Sequence, residues 1–259
     1  MIVSKKAYYL DLGKTGTSYV EDVIDRASAS EFFSPKGERH RGFARRPSDR
    51  ALRNMLIITS IRNPYSWYAS HFTYGRKTNG RVWRTLVQQG FSDPQPDQIE
   101  PFLTAILADR LELPKRNHNN PEQAAWRNFP ENLGMMTLQY VLLLDPKFLL
   151  RRRRSVADIK AWYRDNWFAP ERKNLIMFGQ KNLTQETIEL VRENAEYFDL
   201  KPNYLEILSK IENEQADAEL HKVQGIKSYK SYFSDTARFL VEHYERLLFE
   251  QFDFTFEEI

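Results

Sequence analysis

The sequence predicts an α/β fold, a central and mostly parallel sheet flanked by helices, and three stretches carry that prediction. Ala7 to Leu12 is an apolar, aromatic run that enters the polar turn Gly13-Lys14-Thr15-Gly16-Thr17-Ser18. Beyond it Tyr19, Val20, Val23 and Ile24 recur at helical spacing. Met55 to Ile61 (MLIITSI) is nearly all apolar and β-branched, as a parallel strand covered on both faces should be. Asn174 to Phe178 is a shorter run of the same kind, followed by a periodic helix from a cap at Thr184 to Phe198. Strands alternating with helical patterns in this way build a parallel sheet.

At 259 residues and 41% hydrophobic, the chain can bury a sizeable core. We read residues 1–259 as a single α/β domain with helical elaborations, two domains being the other option. The formal net charge of +3 is too small to argue for nucleic acid. Cysteine is absent, which excludes disulfides, thiolate metal sites and cysteine nucleophiles. The first strand starts close to Met1 and no apolar run is long enough to span a bilayer, so a cytoplasmic protein without a transmembrane segment is expected.

The remaining elements follow in order. Glu31 to Asp49 reads as a long basic connection holding His40 among Arg39, Arg41, Arg45 and Arg46. After the Met55–Ile61 strand, Asn63 is an N-cap with Pro64 at the first helical position, so a helix starts there. Tyr74 to Asn120 is polar and punctuated, with one helix from Glu100 to Asp109. Pro130 to Leu144 is an apolar helix, and Arg151 to Arg154 is a solvated entry to a helix capped by Ser155 and running through Trp162 and Trp167. Glu186 falls in the first turn of its helix, where a carboxylate suits the dipole. Leu205 to Leu220 is an acidic helix, Lys222 to Lys230 a basic stretch around Gly225, and Thr236 to Phe252 one last helix with Phe239, Leu240, Tyr244, Leu247, Leu248 and Phe252 on a broad apolar face.

The first turn has the chemistry of an anion cradle. The unpaired N–H groups of a first helical turn point into it and the helix dipole favours negative charge there. Gly13 and Gly16 allow close backbone approach, Lys14 adds a point charge, and Thr15, Thr17 and Ser18 add hydroxyls. Phosphate and sulfate fit equally, and an ordinary βα turn with solvated hydroxyls is the bland alternative. Arg62 stands at the end of the second strand, where ligands of open α/β sheets bind. A magnesium-dependent nucleotide enzyme with a GxxxxGK[ST] loop puts a carboxylate in that region. Here the strand ends in Ser60, Ile61 and Arg62, which points to a second anionic group bound without metal.

Lys14-Thr15-Gly16-Thr17-Ser18 after one strand, paired with Arg62-Asn63-Pro64 and Ser70 after another, resembles the sulfotransferases that use 3′-phosphoadenosine 5′-phosphosulfate (PAPS). The Arg62 to Ser70 spacing agrees, and Ser228-Tyr229-Lys230-Ser231-Tyr232-Phe233 and Gln180-Lys181-Asn182-Leu183 also look like the family. Gly13 stands where that family usually has Pro, and Asp11 where carbohydrate-type members have His. The resemblance implies a P-loop-like three-layer fold and PAPS as donor, with no metal. Lys14, Thr15, Gly16, Thr17 and Ser18 would hold the 5′-phosphosulfate, Arg62 and Ser70 the 3′-phosphate, and Lys222 and Lys227 a mobile loop over it. Lys14 would also stabilise the leaving oxygen.

The acceptor hydroxyl needs a base. His40 is the first choice, with Asp11, Glu21 and His71 behind it, Glu21 being expected to face solvent and His71 to pack beside Ser70. The acceptor itself is a carbohydrate or a small metabolite. Two other readings stay open: a P-loop kinase-like phosphotransferase, and a non-catalytic anion or glycan binder presenting Trp67, Trp83 and Trp126.

Overall fold

A computed structural model describes residues 2–3, 6–10, 12–13, 15–29, 54–78, 80–88, 90–91, 98–110, 125, 128–145, 148–149, 152–166, 175–179, 182–222 and 229–258. Those residues are mostly helical, with a small, mainly parallel sheet, compatible with the α/β expectation. The chain divides into two compact units, Met1–Arg62 with Ala169–Ile226, and Asn63–Phe168 with Lys227–Ile259.

The first unit holds the sheet: β1 (Ile2–Val3), β2 (Ala7–Leu10), β3 (Leu56–Ser60) and β4 (Leu175–Phe178), in that spatial order. β1 pairs antiparallel to β2, whereas β2, β3 and β4 are mutually parallel. Side chains alternate across a strand. Ala7 and Tyr9 of β2 and Leu56 and Ile58 of β3 therefore share one face, in register as Ala7↔Leu56 and Tyr9↔Ile58. That face packs on α1 (Thr17–Ala27), α7 (Leu183–Glu193) and α8 (Tyr204–Lys222) through Val20, Val23, Ile24, Ile188, Val191 and Leu208. Burying such side chains contributes about 1.5–3 kcal/mol each before the chain's entropy is counted.

The second unit begins with α2 (Pro64–Thr78) and α3 (Arg81–Gln88), which approach closely where Gly75 meets Trp83. α4 (Glu100–Leu103) runs into a π-helical turn, Thr104–Ala108, closed by the Asp109 N–H on Thr104 O at 2.9 Å. Phe102, Phe72 and Trp83 pack there as one aromatic cluster. α5 (Met135–Leu144), α6 (Val156–Asn166), α9 (Asp235–Tyr244) and α10 (Arg246–Phe252) complete the unit.

Several expectations are corrected. The stretch read as polar after Tyr74 contains the end of α2 and all of α3. Thr184 lies inside α7, whose N-cap position is Asn182, because the helix begins two residues earlier than a cap at that hydroxyl requires. The last helix is broken at Glu245, and Phe239 is 61% exposed, so α9 and α10 do not share one continuous apolar stripe. Trp67 and Trp83 are buried in the core and present no aromatic surface. Trp126 and Trp167 lie outside the described residues. The basic run, by contrast, is the solvated helix entry expected: Arg152 and Arg153 are exposed, Arg153 pairing with exposed Glu131 at 2.7 Å, and Arg154 lies over the Phe148 ring at 3.9 Å. Among the described residues no helix is long and apolar enough to cross a membrane.

Candidate functional site

Among the described residues of the turn after β2, backbone and hydroxyl groups make the bonds. The Thr15 N–H donates to Leu12 O at 3.2 Å, and the Thr15 hydroxyl donates to the same oxygen at 2.6 Å. Gly16 then turns the chain with φ of +82°, a left-handed conformation that favours glycine, and serves as the N-cap of α1. Its carbonyl accepts from the N–H groups of Tyr19 and Val20 at 2.9 and 3.2 Å. Gly16 has no side chain with which to cap this helix, and the helix's first turn carries no acidic residue. Thr17 is buried and Ser18 is exposed. The donor set, hydroxyls and the N–H end of a helix with no carboxylate in its first turn, suits an anion.

Strand β3 ends beside this turn. The parallel register sets Leu10 against Thr59, so the residues after both strands leave the sheet at the same edge. Ser60, fully buried, bonds Thr15 Oγ1 at 2.7 Å and the Tyr9 hydroxyl at 2.8 Å. Ile61 is buried and Arg62, two residues past the strand, is half-buried. The turn after the third parallel strand is of another kind. There the Gly179 N–H donates to the Glu186 carboxylate of α7 at 2.7 Å, so a side chain of the protein already supplies the negative charge.

In the second unit, Asn63 Oδ1 accepts from the Tyr65 N–H at 3.1 Å and Pro64 opens α2, as the sequence predicts. The same side chain donates through Nδ2 to Thr255 O at 2.7 Å. Ser70 is half-buried on α2. His71 packs its ring on Trp67 at 4.2 Å.

Other site residues fare differently. Lys14, His40, Lys227 and Asp11 lie outside the described residues. Lys222 is the last residue of α8, so the basic stretch read as a loop from Lys222 onward is helical at its start. Glu21 is buried at 4% exposure and does not face solvent, because its position on α1 turns it inward with Val20 and Ile24. Ser60 and Tyr9 were not singled out from the sequence. The available signal was a hydroxyl residue inside an otherwise apolar strand. Among the described residues no group of three His, Cys, Asp or Glu side chains could hold a metal ion. No protein-family model, curated protein or solved structure matches the chain.

Proposed function

We propose that this protein is a sulfotransferase moving the sulfuryl group of PAPS to a hydroxyl of a carbohydrate or small metabolite. The observation that carries the reading is the bond between Thr15 and Ser60, which ties the polar turn after β2 to the end of the strand that leads into Arg62. An anion-suited turn and a second cation are thereby attached to one sheet edge, as a ligand charged at two places requires. The motif resemblance supplies the donor's identity, and with it a P-loop-like three-layer fold. The cytoplasmic setting rests on the sequence alone.

In this reading Lys14, the N–H groups at the start of α1, and the Thr17 and Ser18 hydroxyls bind the 5′-phosphosulfate, with Gly16 giving the backbone its approach. Arg62 and Ser70 bind the 3′-phosphate, and Lys222 and Lys227 add charge to it. Charge-assisted hydrogen bonds of this kind contribute about 1.5–3 kcal/mol each. As the acceptor oxygen bonds to sulfur, the bridging S–O bond breaks and its electron pair stays on the nucleotide phosphate. Lys14 stabilises that charge, while His40 takes the acceptor's proton. Calorimetry with adenosine 3′,5′-bisphosphate tests the donor site, and a screen of acceptors with radiolabelled PAPS tests transfer. Absence of binding overturns the reading, and binding without transfer to any acceptor replaces it with a non-catalytic nucleotide binder. Magnesium-dependent ATP turnover would establish a kinase instead.

A further inference from the structure

We infer that Thr15 is a positioning residue, held by a directed chain of buried hydroxyls, and that it gives the ligand neither its side chain nor its N–H. The inference rests on the donor site proposed above and revises how that site works. The direction of the chain follows from elementary hydrogen-bond accounting. A carbonyl only accepts, so Thr15 gives its single hydroxyl hydrogen to Leu12 O at 2.6 Å. Ser60 Oγ, 2.7 Å from Thr15 Oγ1, must then be the donor between those two. Tyr9, 2.8 Å from Ser60, is in turn the donor to it. Each hydrogen points toward the turn, from Tyr9 through Ser60 and Thr15 to Leu12.

Burial makes that order consequential. Thr15 and Ser60 are both fully buried and Tyr9 is 1% exposed, so water does not compete for these groups. The Thr15 N–H is also directed at Leu12 O. What the chain fixes is the residue before Gly16, and so the left-handed φ of Gly16 and the direction in which the first N–H groups of α1 point. Ser60 belongs to the strand that precedes Arg62, so one bond sets the turn against the strand end.

The test is adenosine 3′,5′-bisphosphate affinity by calorimetry in Thr15→Val, Thr15→Ser, Ser60→Ala and Tyr9→Phe. Thr15→Val and Ser60→Ala should each weaken binding roughly five- to tenfold, the scale of one buried hydrogen bond. Thr15→Ser, which keeps the hydroxyl, should restore affinity to within about twofold. The double variant Thr15→Val/Ser60→Ala should lose less than the product of the two single losses, because both break one link. If Ser60→Ala does not fold, Tyr9→Phe carries the same comparison one bond further out. Loss in Thr15→Val with wild-type affinity in Ser60→Ala and Tyr9→Phe would make Thr15 a direct ligand contact and overturn the inference. Failure of the wild-type protein to bind would instead count against the proposed function. The lock is then read by hydrogen exchange at the Tyr19 and Val20 amides, which should quicken in Thr15→Val and Ser60→Ala but not in Thr15→Ser. Unchanged exchange overturns the inference on its own.

Discussion

Glu245 shows how far one side chain can organise its surroundings. It is fully buried at the break between α9 and α10, and its carboxylate accepts from the Met136 and Thr137 N–H groups at 2.8 and 2.9 Å. The Thr137 hydroxyl donates at 2.5 Å and the Tyr68 hydroxyl donates as well. A carboxylate of the protein thus fills the N-terminal end of α5, where the dipole favours negative charge. Burial raises its carboxyl above the ordinary range, while the bonds from Thr137, Tyr68 and Met136 pull it down. Glu245→Ala should cost about 3 kcal/mol in urea unfolding, since it strands several buried donors at once. A Cβ on Gly134 would fall on the same carboxylate, which cannot back away from its donors. Gly134→Ala should therefore cost about 1–3 kcal/mol alone and distinctly less in the Glu245→Ala background. At the proposed donor site the sharpest single-residue expectation concerns Lys14. Lys14→Ala should lower the maximal transfer rate by ~10²–10³ at saturating PAPS, and an undiminished rate would restrict Lys14 to binding.

Helix starts were legible where the chemistry is local. Ser155 and Asp158 form a reciprocal box at the head of α6: the Ser155 N–H donates to Asp158 Oδ2 at 2.8 Å, and the Asp158 N–H to Ser155 Oγ at 3.1 Å. Those bonds from Ser155 hold the Asp158 carboxyl below the usual range. With the folded value depressed, the stabilisation is full above the ordinary carboxylate range and fades as pH falls through the folded value. Ser155→Ala should cost about 0.5–2 kcal/mol at neutral pH. The stability difference between wild type and Asp158→Asn, followed by urea melts across pH, should shrink toward acid. The Asn63-Pro64 start was readable for the same reason. Misread elements depended on tertiary partners. α3 is bracketed by Gly80 and Gly90, and its Val82, Trp83 and Leu86 pattern is short enough to pass for a polar loop. In α9 and α10 the stripe from Phe239 to Phe252 looked continuous, because nothing local announces that Glu245 would be drawn to the end of α5.

For the molecule as a whole, the three parallel strands were readable because buried parallel strands must be apolar along their length, as Met55–Ile61 is, whereas the two-residue antiparallel β1 was not read. The turn after β2 was readable from Gly13 and Gly16. Its fastening was not, because the Tyr9, Ser60 and Thr15 bonds join residues far apart in sequence, and only the β2–β3 register brings them together. Connectivity sets one more property at this scale. The two units interleave along the chain, so each contains the connection that closes the other. If Asn63–Phe168 unfolded, β3 and β4 would be joined by a flexible loop of about 100 residues, and closing such a loop costs up to roughly 4 kcal/mol. Loss of Ala169–Ile226 would likewise open the second unit. That mutual cost favours unfolding in one step. All 5 tryptophans, Trp67, Trp83, Trp126, Trp162 and Trp167, lie in the second unit. Tryptophan emission therefore follows that unit alone, whereas far-ultraviolet circular dichroism follows helices of both. Urea melts by the two probes should coincide in midpoint and slope. An emission transition separated from the dichroism transition would show that the units unfold independently and that their interleaving couples them by less than loop closure allows.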